Sequence, residues 1–258
     1  MSNKKKILAL SLVLALGATL MVGGSLAWFS DTDEVTNTFT VGSVEIVQNE
    51  TNADGTEFTQ DQQMIPVVEN GKTDPAEFAN FIHKIVTVKN TGKNPAYVQT
   101  FIAVPAALDN GLLRWDCNLS VGGWEAVDGD AGAAGIQPVG TAAYDLDGDS
   151  ASEVMNVYQY RYAAALDKDT TSPELLKGVY IDKAADMDAI YDAGGNVTEA
   201  YFLWDTDNDG DLDKVDGYDL TKIEKLPVLV ATQAVQAQGF GSASEALNAA
   251  FPTHPWDN

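Results

Sequence analysis

The sequence predicts an all-β fold, a jelly-roll-like two-sheet sandwich with a few short helices and long loop insertions. Runs of β-branched and aromatic residues recur along the 258 residues, each short and bounded by Gly, Pro, Asn or Asp. Several of these runs alternate apolar and polar residues with the period of two that a half-buried strand requires. Helix start and stop signals are few. Many short strands separated by turn signals suit two packed sheets, as a sandwich or jelly roll.

The chain opens on Lys4, Lys5 and Lys6, then an apolar run from Ile7 to Val22, then Ser25-Leu26-Ala27 with small residues at the −3 and −1 positions of a cleavage site. Basic, apolar and small-residue regions in that order form a secretory signal peptide, and cleavage is expected after Ala27 rather than retention as an anchor. The apolar run falls short of the about 20 residues that a comfortable span needs. The expected organisation is a signal peptide over 1–27 and a single jelly-roll-like domain over 28–258. That domain would be secreted to the extracellular matrix or cell surface and be free of the membrane after cleavage.

Within it, Asn37 to Val47 places Phe39 and Val41 on one face with threonines between. Phe81 to Lys89 and Ala96 to Val104 read as the two strands of a hairpin around "NTGKNP". Leu112 to Leu119 and Gly123 to Val127 are shorter strand candidates. Val154 to Tyr162 alternates, with Tyr158, Tyr160 and Tyr162 facing one way and Gln159 and Arg161 the other. Thr198 to Trp204 and Leu226 to Gln236 complete the set. "SPELLKG" predicts a short helix with Ser172 at its N-cap and Pro173 at its first position. "SASEALNAAFP" predicts another, with a capping box from Ser242 to Glu245 and a stop at Pro252. Residues 49–75 and 128–150 are polar or rich in Gly, Ala and Asp, and read as long loops.

Charge excludes one class of partner. With 15 Lys and Arg against 38 Asp and Glu, the net charge is −23, and loss of the three N-terminal lysines deepens it. Nucleic-acid phosphates need a basic surface, so no nucleic acid is expected. An acidic chain suits a cation-rich exterior and stays soluble by self-repulsion. Cys117 is the one cysteine, so no intramolecular disulfide can form and stability must come from the core, from metal or from assembly. Cys117 itself reads as a small buried strand residue.

The sharpest chemical signal is "DTDNDGDLDKVD", Asp205 to Asp216. Asp205, Asp207 and Asp209 hold positions 1, 3 and 5 of an EF-hand-type calcium loop, and Gly210 sits at the sharp turn of position 6. Asp211 would offer its carbonyl at 7, Asp213 its carboxylate or a bridging water at 9, and Asp216 its carboxylate at 12. Asp216 is shorter than the usual Glu, and "EAYFLW" before the loop is a strand pattern, so the loop is expected to cap a β-hairpin. A weaker second site is "DLDGDSASE", where Asp145, Asp147, Asp149 and Glu153 have 1, 3, 5, 9 spacing. A solvated acidic loop is the competing reading of each. Bound calcium would be structural, since extracellular modules hold it at about 0.1–1 mM.

Catalytic patterns are missing from the sequence. Its two histidines, His83 in a strand and His254 in the tail, form no H-E-x-x-H, and no G-x-S-x-G or phosphate-binding loop occurs. No catalytic residue is assigned.

"LAWFSDTDEVTNTFTVGSVEI", Leu26 to Ile46, resembles the signal junction of the TasA/camelysin family. "HKIVTVKNTGKNPAYVQTFIAV", His83 to Val104, and "LPVLVATQAVQAQGFGSASEALNAAF", Leu226 to Phe251, are similar to that family as well. The resemblance spans about half the chain and leaves out both Asp-rich loops. It implies export through a SipW-type signal peptidase and a jelly-roll subunit of biofilm-matrix fibres, partnered head to tail with copies of itself and with minor fibre proteins. It further implies that the N-terminal strand of one subunit completes the sheet of the next. The donor would lie within Trp28 to Ile46, with Trp28, Phe29, Val35, Phe39 and Val41 as anchors; pairing within the subunit is the alternative. The camelysin branch implies instead a cell-surface metalloendopeptidase, and a monomeric calcium-binding adhesive domain is a third reading.

Overall fold

The computed structural model describes residues 30–34 by their backbone, and residues 44–60, 62–119, 122–127, 136–146, 148, 151–223 and 226–257 in full. The protein is an all-β sandwich. One layer is an antiparallel sheet in the order β1 (Ser30–Glu34), β14 (Leu229–Gln236), β5 (Ala96–Pro105), β9 (Glu153–Tyr162) and β7 (Trp124–Val127). β7 and β8 (Gly140–Tyr144) share the far edge of β9, β7 at Gln159–Tyr162 and β8 at Glu153–Val157.

The opposing layer joins two smaller sheets. β2 (Ile46–Thr51) pairs β4 (Ile85–Asn90), and β3 (Ile82–His83), β10 (Leu176–Ile181) and β6 (Leu113–Cys117) form the other. Backbone bonds stitch them together: Ser172 N–H to Val88 O at 2.8 Å, Leu175 N–H to Val86 O at 2.9 Å, and Lys84 N–H to Lys177 O at 3.2 Å. A third, outlying sheet is formed by β11 (Asp186–Tyr191), β12 (Val197–Trp204) and β13 (Asp213–Lys214).

Alternation places the core. β4 sends Val86 and Val88 inward, β9 sends Tyr158 and Tyr160, and β10 sends Val179 and Ile181; all are buried in one cluster with Ile46, Val98, Ile102 and Val230. Polar bonds fix how the layers meet. Trp115 Nε1–H donates to the Tyr160 hydroxyl at 2.9 Å, and the Thr232 hydroxyl donates to Gln48 Oε1 at 2.7 Å. β5 is buried along almost its whole length because both its faces are covered. Behind it lie α1 (Ala243–Ala250) and, against Phe101 and Met155, Trp256 of the tail. The helix forms as its cap predicts: the Ser242 hydroxyl accepts from Glu245 N–H, and Glu245 Oε2 accepts from Gly241 N–H at 2.9 Å.

Two expectations fail. β4 and β5 are not a hairpin: β4 pairs β2 while β5 pairs β14 and β9, so "NTGKNP" carries the chain from one layer to the other. "SPELLKG" is not a helix. The Ser172 hydroxyl accepts from Val88 N–H at 3.0 Å instead of capping, and Leu176 onward pairs as β10. The β2 strand also runs on to Thr51, into what reads as loop. β8, β10 and β11 carry no strong strand signal, β10 because Gly178 interrupts it and β11 because it opens on Asp186 and Asp188, a residue type depleted in strands, and its alternation breaks at Ile190-Tyr191. The signal segment with Ala27, the expected anchors Trp28, Phe29, Val35, Phe39 and Val41, and Asp147 and Asp149 lie outside the described residues.

Candidate functional site

The loop between β12 and β13 folds its carboxylates together. β12 pairs β13 at Leu203–Lys214 and Trp204–Asp213, so Asp205 to Leu212 closes a hairpin. Asn208 at φ 62° and Gly210 at φ 96° take left-handed backbone, which turns the loop tightly. Carboxylate oxygens of Asp205, Asp207 and Asp209 lie within 4.8 Å of one another. Loop amides hold them in place: Asp209 N–H donates to Asp205 Oδ1 at 3.1 Å and to Asp207 Oδ1 at 3.2 Å, and Gly210 N–H to Asp205 Oδ2 at 3.1 Å. An all-oxygen set fits a hard cation such as calcium. The structure does not bring the carboxylates of Asp211, Asp213 and Asp216 into that group. Asp213 Oδ2 is engaged by the Thr206 hydroxyl at 2.7 Å, and the Asp216 side chain is 91% exposed, 4.0 Å from Lys214.

The second acidic loop also closes a hairpin, with Tyr144 opposite Glu153 across β8 and β9. Asp145 Oδ1 accepts from Gly148 N–H at 2.7 Å, and Glu153 Oε2 from Leu146 N–H at 2.8 Å. Asp145 and Glu153 belong to no metal-type group among the described residues.

The edge of the six-stranded sheet is the other feature of functional interest. β1 lies antiparallel on β14, from Ser30 opposite Val235 to Glu34 opposite Ala231. Among the described residues, the only other strand in β14's ladder is β5.

Among the described residues, Cys117 and the two histidines lie apart from one another. Burial pushes the Cys117 thiol up to about 12, against a hydrogen bond from Tyr160 that lowers it, with Asp116 adding to the rise and Lys177 opposing it; such a thiol carries almost no thiolate near neutrality. His83 packs edge-on against Phe81 at 4.9 Å. His254 lies against Gly140, its Nδ1 buried without a partner among the described residues. Among the described residues no helix is long and apolar enough to cross a membrane.

A β-sandwich with an acidic hairpin loop and a sheet edge closed by its N-terminal strand is the class that this architecture defines. The family model described as camelysin metallo-endopeptidase matches residues 2–57, which include β1 and β2. This agrees with the TasA/camelysin resemblance at Leu26 to Ile46; the two later stretches lie outside the match. No curated protein and no solved structure matches the chain. The peptidase description implies a catalytic metal, for which zinc with nitrogen or sulfur ligands is the common choice. The described residues do not fit such a zinc site. The one metal-type group among the described residues holds three aspartates, and neither histidine nor Cys117 joins it.

Proposed function

We propose that the protein is a secreted structural subunit of extracellular matrix fibres that polymerises by exchange of its N-terminal strand and is stabilised by calcium at Asp205, Asp207 and Asp209. The observation that carries this reading is the pairing of β1 with the β14 edge. A strand at the start of the domain, hydrogen-bonded among the described residues to one edge alone, can leave its own β14 and take the same register on the next copy. Exchange of this kind conserves the backbone bonds and is β-augmentation between subunits. Because the contact is head to tail it does not close, and it propagates as a filament. Signal cleavage would release the donor end, which ties assembly to export. The anchors in this reading remain Trp28, Phe29, Val35, Phe39 and Val41.

Electron microscopy tests it. Protein beginning at Trp28, in millimolar calcium, forms filaments, and protein lacking Trp28 to Thr40 remains a folded monomer. A Thr32→Cys/Gln233→Cys pair adds a sharper version, since those residues are opposite one another. Oxidised as a monomer it is locked shut and makes no filaments; oxidised after assembly it yields cross-linked chains. Monodisperse particles from every version, or cross-links confined to single chains in filaments, overturn strand exchange.

The family description favours a second reading, a cell-surface metalloendopeptidase. It requires that the purified protein retain zinc and cleave peptides.

A further inference from the structure

A cleft of about 510 Å³ lies between β12, the turn that follows β13, and the start of β9. Its walls carry Glu153, Glu199, Asp219 and Lys222, with Tyr218 and Ile223 among its lining. Tyr218 is 3% exposed, its ring stacked on buried Phe202 with centroids 6.2 Å apart. The Tyr218 hydroxyl has no hydrogen-bond partner among the described residues. Burial, and then the charge of Glu153, push this phenol well above its ordinary range, so it remains an O–H group. A buried hydroxyl left unpaired is unfavourable and calls for a partner.

Among the described residues, the acids are held in place through one oxygen each. Glu153 Oε2 is bonded by Leu146 N–H at 2.8 Å, and Glu199 Oε1 by Lys214 at 2.6 Å. Asp219 Oδ1 accepts from Thr221 N–H at 3.0 Å, the Thr221 hydroxyl at 2.7 Å and Ala200 N–H at 3.3 Å. Positioned carboxylates with a second oxygen to offer form an acceptor-rich surface. These three do not converge as the Asp205 loop does, and the volume exceeds that of one ion. Three carboxylates against Lys222 and Lys214, the latter paired with Glu199, leave a net negative charge and disfavour an anion.

We propose that this cleft binds an organic cation bearing a primary ammonium group, either a free polyamine or the lysine side chain of a partner peptide. The ammonium donates to the Glu153 and Asp219 carboxylates, and the Tyr218 hydroxyl is the remaining polar partner. The proposal is independent of fibre assembly and is tested on the folded monomer.

Titration calorimetry at physiological salt, with spermidine and separately with a lysine peptide blocked at both termini, gives saturable one-to-one binding to at least one probe. The responding probe identifies the source. Glu153→Gln weakens it about tenfold or more, equivalent to about 1.4 kcal/mol. Tyr218→Phe weakens it too, while its melting temperature is unchanged or higher because only an unpaired O–H is removed. Should Glu153→Gln fail to fold, Tyr218→Phe decides alone. Asp207→Asn, at the separate loop, leaves binding unchanged. Absent binding, or binding that is equal in wild type and Tyr218→Phe, or that is lost in Asp207→Asn, overturns the proposal.

Discussion

At the scale of single residues, three sites make predictions. The Asp205–Asp209 carboxylates repel one another unless a cation sits among them. Calcium at about 100 times its Kd adds about 2.7 kcal/mol to the folded state. For a chain of this size that raises the melting temperature by about 5–10 °C. Asp207→Asn abolishes most of that rise, read by thermal denaturation with calcium and with chelator. Lys84 is 1% exposed, paired with Glu50 and set 4.4 Å over the Phe58 ring. Lys84→Met strands a part-buried carboxylate and costs about 3–5 kcal/mol; Lys84→Met/Glu50→Gln recovers part of it in urea unfolding. Asp109 predicts a pH effect. Burial holds its carboxyl above the ordinary 3.8, against hydrogen bonds from the Tyr158 hydroxyl and Asn156 Nδ2, both at 2.6 Å. The folded state therefore binds this proton more tightly than the unfolded state. Its contribution to stability is complete below 3.8 and is lost as pH rises through the raised folded value. Asp109→Asn removes that component, and the pH profile of unfolding free energy above 3.8 flattens accordingly.

Secondary-structure elements show where local rules hold and where neighbours overrule them. β10 needs Gly178 because a Cβ there would meet the Ile82 carbonyl and the Phe81 ring. Gly178→Ala separates β3 from β10 and lowers the melting temperature, even though alanine is the better residue for an isolated extended chain. The α1 cap is local chemistry, and Ser242→Ala costs about 1 kcal/mol in urea unfolding. Ser172 shows the opposite case. Ser172 also stands before a helix-start pattern, Ser-Pro-Glu, but lacks the Glu at the third position that completes the box at Ser242; β4 presents Val88 N–H to its hydroxyl, and the sheet wins. β11 is an exposed edge, and its Asp186 and Asp188 carboxylates each accept from the following amide at 2.8 Å. Occupied amides and fixed charge discourage pairing at this edge.

For the molecule as a whole, charge opposes the assembly that we propose. In the proposed fibre, cleaved subunits more acidic than the full chain's net −23 repel, and salt screens that repulsion over about 8–10 Å near physiological strength. Filament growth should quicken as sodium chloride rises, and calcium should exceed sodium at equal ionic strength if Asp205, Asp207 and Asp209 contribute; light scattering separates the two. The all-β class, the alternation of β9, the α1 cap and the meeting of three aspartates at 1, 3, 5 spacing were all legible in the sequence, because each depends on neighbours a few residues away. Partnership was not legible. β4 and β5 adjoin in sequence yet enter different layers, and Asp216 stands apart from the loop that its spacing assigned it to. The Tyr218 cleft, drawn from residues 153, 199 and 219, leaves no pattern in any window. Strand pairing is decided by which buried faces complete a common core, and that choice exists only when distant segments meet.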